Sequence, residues 1–429
     1  MSDEKKESRR NLFRRIAWTI GILVVYNLLT YVTIPGVDRK VLAEISKIPT
    51  LTMMAMFSGG GFQKFSLLSM GVGPYITAQI IVQLLQSGVI PKLTEWSKQG
   101  QIGRHKLSQL TRALTVVIGF VQAVGIVATL NSLSQVGIFL VDSWWNYLVI
   151  GLIWTAGSFI AMWLGDQITQ NGLGNGISVI ISAGIIKGLP ESTKQLVDAL
   201  STTAGIKWDL IVLTIVLVII LTTFIVWFNR CEYRLPIQYT RRENNTSDDS
   251  YLPLKLIVPG VVPVIFASSI LSLPQTVLMF FNTQRTDPIY KMFDDFFALQ
   301  SDTGICLYGI LIILFTYVYS LVQVEPDKLA ENLSKQEAYI PSIWPGDPTA
   351  VFIKNTIFDL DLPGAAFLAL ISVIPLIVSN QISPSLQLGL SGSSLLIIVG
   401  TLADIGRQIE GLKLKEGYYD FLSPSYNTK

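Results

Sequence analysis

The sequence predicts an all-α polytopic membrane protein with about ten transmembrane helices, arranged in two pseudo-symmetric five-helix halves. Three observations predict it. Hydrophobic residues make up 50% of the 429 and charged residues 14%, with a mean hydropathy of +0.49, whereas soluble domains carry about 25% charged residues. Apolar runs long enough to cross the hydrocarbon core recur along the chain, and almost every ionisable residue lies outside them. A Gly/Pro motif near the start of the chain also returns in its second half.

The first span, residues 16–34, follows a segment carrying Lys5, Lys6, Arg9, Arg10, Arg14 and Arg15, with no small-residue cleavage pattern after it. It therefore reads as a retained helix and not as a signal peptide. Full-length spans follow at 65–88, 107–130, 144–164, 208–228, 256–281 and 304–324, and shorter or more broken ones at 176–189, 363–379 and 387–403. Trp18, Trp144, Trp145, Trp208 and Trp227 sit near span ends, where an amphipathic ring suits the headgroup boundary. With the N-terminus inside, the inner segments hold 23 of the 32 Lys and Arg residues. The positive-inside rule then places both termini in the cytoplasm. The halves are 1–207 and 208–429, the second carrying two large cytoplasmic loops at 229–255 and 325–362.

The inventory for chemistry is nearly empty, so an enzyme is not expected, and neither a metal nor a cofactor site is indicated. The single histidine, His105, lies in a basic loop, and Cys231 and Cys306 fall on opposite sides of the membrane with no CxxC. The glycine run ending in Lys64 is followed by Phe65, so it is no phosphate loop. Any ATP-driven work must come from a partner. Asp166 has no second membrane carboxylate with which to form a proteolytic dyad.

Organisation says more. Gly71-Val72-Gly73-Pro74-Tyr75-Ile76-Thr77-Ala78 is echoed 189 positions later by Gly260-Val261-Val262-Pro263-Val264-Ile265-Phe266-Ala267. Each copy opens the second span of a half, and an odd number of spans per half inserts the halves with opposite orientation. Such inverted repeats enclose a midplane site. Two function classes fit, a secondary transporter and a polypeptide-conducting channel. Coupled transporters keep ionisable residues within their spans, but here Asp166, Lys187, Asp404 and Arg407 sit near span ends and the span centres are aliphatic. A pore closed by aliphatic side chains, gating by excluding water, fits better. The two large loops also suit the docking of an external engine.

Several blocks, in order, carry a family resemblance: Met56-Phe57-Ser58-Gly59-Gly60, residues 71–85, Gly172-Leu173-Gly174-Asn175-Gly176-Ile177-Ser178, Leu252-Pro253-Leu254-Lys255 with residues 263–269, Ala330-Glu331-Asn332-Leu333, and Ser394-Leu395-Leu396-Ile397. Together they resemble SecY, the central subunit of the bacterial protein translocon. The resemblance implies a clamshell around an hourglass pore that conducts unfolded secretory proteins across the cytoplasmic membrane and membrane proteins into it. It implies a ring of aliphatic side chains at the waist, matched by Val72, Ile76, Ile177, Ile181, Ile265 and Ile397. Val72 with Ile76 and Ile177 with Ile181 are i, i+4 pairs that share a helix face.

The resemblance further implies a plug at about 51–65 with Gly59, Gly60 and Gly61 as its hinge, and a lateral gate to lipid between spans two and seven, where Thr77 and Leu273 match facing positions. Implied partners are SecE-like and SecG-like small membrane subunits, a SecA-type ATPase motor, the ribosome, unfolded preproteins and membrane lipid. Motor or ribosome docking falls to Arg230, Arg234, Arg241, Arg242 and Trp344. One departure stands out. Where SecY proteins carry Pro-Gly-Ile-Arg-Pro-Gly, this chain reads Pro341-Ser342-Ile343-Trp344-Pro345-Gly346. Tryptophan supplies neither the charge nor the fork of donors of the arginine associated with motor engagement. An accessory paralogue, exporting a restricted set of cell-surface proteins with a dedicated SecA, would explain it.

Overall fold

A computed structural model describes residues 3–34, 61–86, 90–133, 144–202, 205–206, 208–239, 251–280, 296–297, 301–382 and 392–422. Every predicted span overlaps a helix, although the span predicted at 65–88 holds only a 12-residue helix preceded by turns: α1 (Asp3–Leu29), α2 (Gly73–Leu84), α4 (Gln101–Leu133) after a short α3 (Pro91–Lys98), α5 (Trp144–Asn171), α6 (Gly176–Leu200), α7 (Trp208–Asn229), α8 (Val262–Phe280), α9 (Asp302–Val324), α11 (Asp347–Ile382) after a short α10 (Pro326–Lys335), and α12 (Gly392–Leu422). Among the described residues, five of these helices are long and apolar enough to cross a membrane, and parts of α6, α7 and α8 are shorter apolar helices. Trp18, Trp144, Trp145 and Trp227 are exposed, as boundary anchors should be.

The two copies of the Gly/Pro motif adopt the same local structure. Gly71 and Gly260 both have positive φ, at 53° and 62°, a conformation that glycine takes without a Cβ penalty. Three residues later Pro74 and Pro263 stand in the first turns of α2 and α8, where the missing N–H costs nothing. The next helical amides are also matched, with Ile76 N donating to Val72 O at 3.1 Å and Ile265 N to Val261 O at 3.4 Å. The helices they open, α2 and α8, pack against one another.

The two large loops contain paired strands. β3 (Glu232–Pro236) pairs antiparallel with β5 (Tyr251–Lys255), and β4 (Gln238–Tyr239) with β6 (Ala338–Tyr339), so the segments 229–255 and 325–362 are joined by strand pairing. Ser201–Thr202 and Gly205–Ile206, β1 and β2, form a further small ladder. Leu235, Ile237, Leu254, Leu333, Ala338, Ile340, Ile353 and Ile357 bury themselves in one small core of this platform. α11 begins inside the predicted second loop, and its first turns supply Ile353 and Ile357 to that core. The platform is thus mounted rigidly on a membrane helix. The polar α10 packs on α11 through Ala330 and Leu333.

Candidate pore and gate

The residues matched to the pore ring all join one extended hydrophobic cluster. Val72, Ile76, Ile181, Ile265 and Ile397 are all buried members of the largest hydrophobic cluster, and Ile177, half-buried, packs against it. They reach it from four helices whose contacts are paired, α2 on α8 and α6 on α12. Val72 caps the N-terminus of α2, so Ile76 stands one turn further along the same face. Branched aliphatic side chains at such a meeting point exclude water without offering any group that would hold a passing peptide.

The glycine-rich turn between α5 and α6 sets the height of Ile177 and Ile181. A Cβ on Gly176 would stand 1.9 Å from the Gly165 carbonyl oxygen, so the two backbones touch where only glycine fits. The amides of the turn are satisfied from three helices or from the turn itself. Leu173 N donates to Thr19 Oγ1 of α1 at 3.0 Å, and Gly174 N to Gln408 Oε1 of α12 at 2.7 Å. Gly176 N donates to Thr169 Oγ1 at 2.9 Å and Ile177 N to Asn175 Oδ1 at 3.2 Å. The motif quoted for the family resemblance is therefore a junction tying α1, α5, α6 and α12 together beside the ring.

Of the segment matched to the plug, 51–60 lies outside the described residues, Gly59 and Gly60 with it. Its end is anchored. Phe62 and Phe65 pack on Trp154 of α5 with ring centroids 5.9 and 4.8 Å apart, in a second small core with Ile34, Met70, Ile126 and Ile150. Ile34 N donates to Phe65 O and Leu67 N to Val32 O, so the bridge-forming residues that follow α1 grip this segment. Gly61 has φ −64°, a conformation open to any residue, and its carbonyl accepts from Lys64 N, Ser66 N and Ser69 Oγ. At Gly61, then, the backbone of this conformation is held by three hydrogen bonds to its carbonyl.

At the gate positions, Thr77 is buried in α2 with its hydroxyl donating to Gly73 O at 3.3 Å. Leu273 lies in α8, its side chain outside the described part. On the platform Arg230 and Arg234 are exposed, Arg234 lying over the Tyr251 ring at 4.8 Å, while Arg241 and Arg242 are outside the described residues. Trp344 is 82% exposed at the tip of a turn held by left-handed Ser342 and Gly346 and by Thr349 Oγ1 donating to Trp344 O at 2.8 Å.

Sequence reasoning missed the ionic contacts that stitch helices together. Arg112 donates to Asp166 at 2.8 Å, joining α4 to α5 near Tyr75 and Tyr319. Arg104 of α4 meets Glu325 at the end of α9 at 3.1 Å. The cations were legible only as a loop signal, because their partners lie far away in the chain.

With this geometry in place, the SecY family profile matches residues 66–405. The chain belongs to the SecY family. Among relatives it is similar to protein translocase subunit SecY 2 of Lactobacillus kefiranofaciens subsp. kefiranofaciens, at 54% identity over 95% of this chain and 99% of the relative. To SecY 1 of the same organism it is 42% identical, over 96% of this chain and 97% of the relative. Among solved structures, a protein-conducting channel shares the fold, with a TM-score of 0.66 and 18% identity, covering 97% of this chain and 95% of that one. Sec61 in the canine ribosome-channel complex aligns with a TM-score of 0.62 and 19% identity, covering 97% and 95%. The SecY fold is thus present over nearly the whole chain, and the folded platform and the meeting of α2 with α8 are parts of it.

Proposed function

We infer that this chain is the protein-conducting channel subunit of a Sec translocase in a bacterial cytoplasmic membrane, moving unfolded secretory proteins across it and membrane proteins into it. The observation that supports the reading is that Val72, Ile76, Ile177, Ile181, Ile265 and Ile397, from four helices, all belong to or pack on one buried apolar cluster, in a chain whose relatives are named translocase subunits. The ring seals the resting pore, and the anchored Phe62 and Phe65 end the segment that the family resemblance matches to a plug. The interface of α2 with α8 parts towards lipid to admit signal segments. Basic residues concentrated on one side support cytoplasmic termini and a cytoplasmic platform. The platform, with exposed Arg230, Arg234 and Trp344, docks a SecA-type motor or a ribosome, and SecE-like and SecG-like subunits complete the complex.

The channel is an accessory one, working with a dedicated motor on a restricted set of cell-surface proteins. Supporting this are Trp344 at the motor-facing turn and the higher identity to SecY 2 than to SecY 1 of a single organism. The test is reconstitution in proteoliposomes with the small subunits and either a dedicated or a housekeeping SecA-type motor, scoring precursor protected from protease. ATP- and signal-dependent protection with the dedicated motor alone is the expected result. Equal protection with both motors would make the chain an ordinary channel, and none with either would contradict the channel reading.

A further inference from the structure

We propose that the Arg104–Glu325 ion pair is a clasp across the cytoplasmic side of the lateral gate, and that it sets how hydrophobic a signal segment must be to open the channel. The proposal rests on the gate reading given above. Its geometric basis is that α2 packs on α4, α8 packs on α9, and α2 meets α8 at the gate. Arg104 belongs to α4 and Glu325 closes α9, so the two helices that back the gate helices are tied directly to one another. Any movement that parts α2 with α4 from α8 with α9 must pull this pair apart. Between described residues it is the one ion pair that joins 1–207 to 208–429.

Glu325 is built for the contact. Its backbone lies in the left-handed region at φ 46°, ψ 70°, which glycine would occupy without strain and a side chain occupies at a cost. It is at once the C-cap of α9 and the N-cap of α10, its carbonyl accepting from Lys328 N and Leu329 N. The backbone is therefore held from both sides, and the carboxylate is aimed. One oxygen takes Arg104 at 3.1 Å and the other takes Lys328 of the following turn. Lys328 stays with Glu325 when the gate moves, so it orients the carboxylate while Arg104 is the partner that must be released. The two side chains are 67% and 29% exposed, and a pair as wet as this is worth no more than about fivefold in an equilibrium. A contact of that size suits a threshold: it biases the gate closed without locking it.

The test uses the full chain with its small subunits and motor, and compares export of a precursor bearing an intact signal with one whose apolar segment is interrupted by a charge. Glu325→Gly removes the carboxylate while keeping a residue suited to the left-handed backbone. Arg104→Gln removes the other partner. Each is expected to raise the ratio of weak-signal to intact-signal export by up to about fivefold with no fall in melting temperature, and the double variant to do no more than either single one. An unchanged ratio in both single variants, or effects that multiply in the double variant, would overturn the clasp. If the parent chain exported neither precursor with any motor, the channel reading itself would fall and the clasp with it.

Discussion

Replacing Ile76 by Asn attacks the ring where the structure is most explicit. Ile76 is 2% exposed within the main cluster, and its repeat counterpart Ile265 is buried in the same cluster. Losing the aliphatic side chain forfeits about 1.5–3 kcal/mol of burial. An amide left there without a partner costs about 1–3 kcal/mol more. Water entering the ring satisfies the amide, so the second penalty falls on the dry, closed state and not on a hydrated one. The closed state is thereby disfavoured by about 1–3 kcal/mol, or roughly five- to 150-fold in the open fraction, since 1.4 kcal/mol is tenfold. The assay is ion conductance of the reconstituted channel in a planar bilayer, together with export of precursors carrying defective signals; both should rise. Leu368→Asn is the control, because Leu368 is fully buried in the same cluster but lies on α11 and outside the ring. It should lower the melting temperature without a leak. If Ile76→Asn leaked no more than the parent, or Leu368→Asn leaked as much, the ring would be wrongly placed.

Other predictions follow from particular contacts. Trp344→Arg should shift motor preference towards a housekeeping SecA-type ATPase, read as motor-stimulated export with each motor, while leaving the melting temperature unchanged because the side chain is 82% exposed. Gly176→Val should lower stability by about 1–3 kcal/mol through overpacking, since a Cβ there meets the Gly165 carbonyl at 1.9 Å, and should be seen as a lower melting temperature in detergent. Asp361 is buried on α11 beside Ser320, with neither carboxylate oxygen within good hydrogen-bond geometry of a partner. Helical threonines in this protein bond back to the carbonyl four residues earlier, as Thr111, Thr155, Thr316 and Thr401 do. Asp361→Thr should therefore stabilise the protein by about 1–3 kcal/mol, the usual cost of a buried polar group without a partner, and an unchanged or lower melting temperature would refute this.

The spans were legible because crossing hydrocarbon demands a continuous apolar run, a signal readable one residue at a time. Where helices continue into water no such signal exists, so the polar beginnings of α1 at Asp3 and α11 at Asp347, and the end of α12 at Leu422, could not be read from hydropathy. The repeat was legible as letters, and its meaning became clear with the matched left-handed Gly71 and Gly260. The platform was not legible, because β3 and β5 each bury one side chain in the alternation that would betray a strand. Their apolar partners come from helices a hundred residues away. The ring positions are assigned through family resemblance alone, since a buried isoleucine at a pore and one in ordinary packing carry the same local pattern. Contacts such as Arg104 with Glu325, or Gly174 with Gln408, join residues more than two hundred positions apart, and no local spacing announces them. Gly61 shows the converse, a glycine in a glycine run whose backbone in this conformation needs no glycine.

The most direct measurement replaces Cys231 and Cys306 by Ser, places one cysteine at Ile76 or Ile265, and traps a stalled precursor carrying a single cysteine of its own. A crosslink formed at either ring position only when the signal segment is intact and the motor is supplied with ATP is the predicted result. A precursor that is exported through the complex yet never crosslinks at Ile76 or Ile265, while crosslinking at lipid-facing positions such as Val216 of α7, would contradict a pore through this ring.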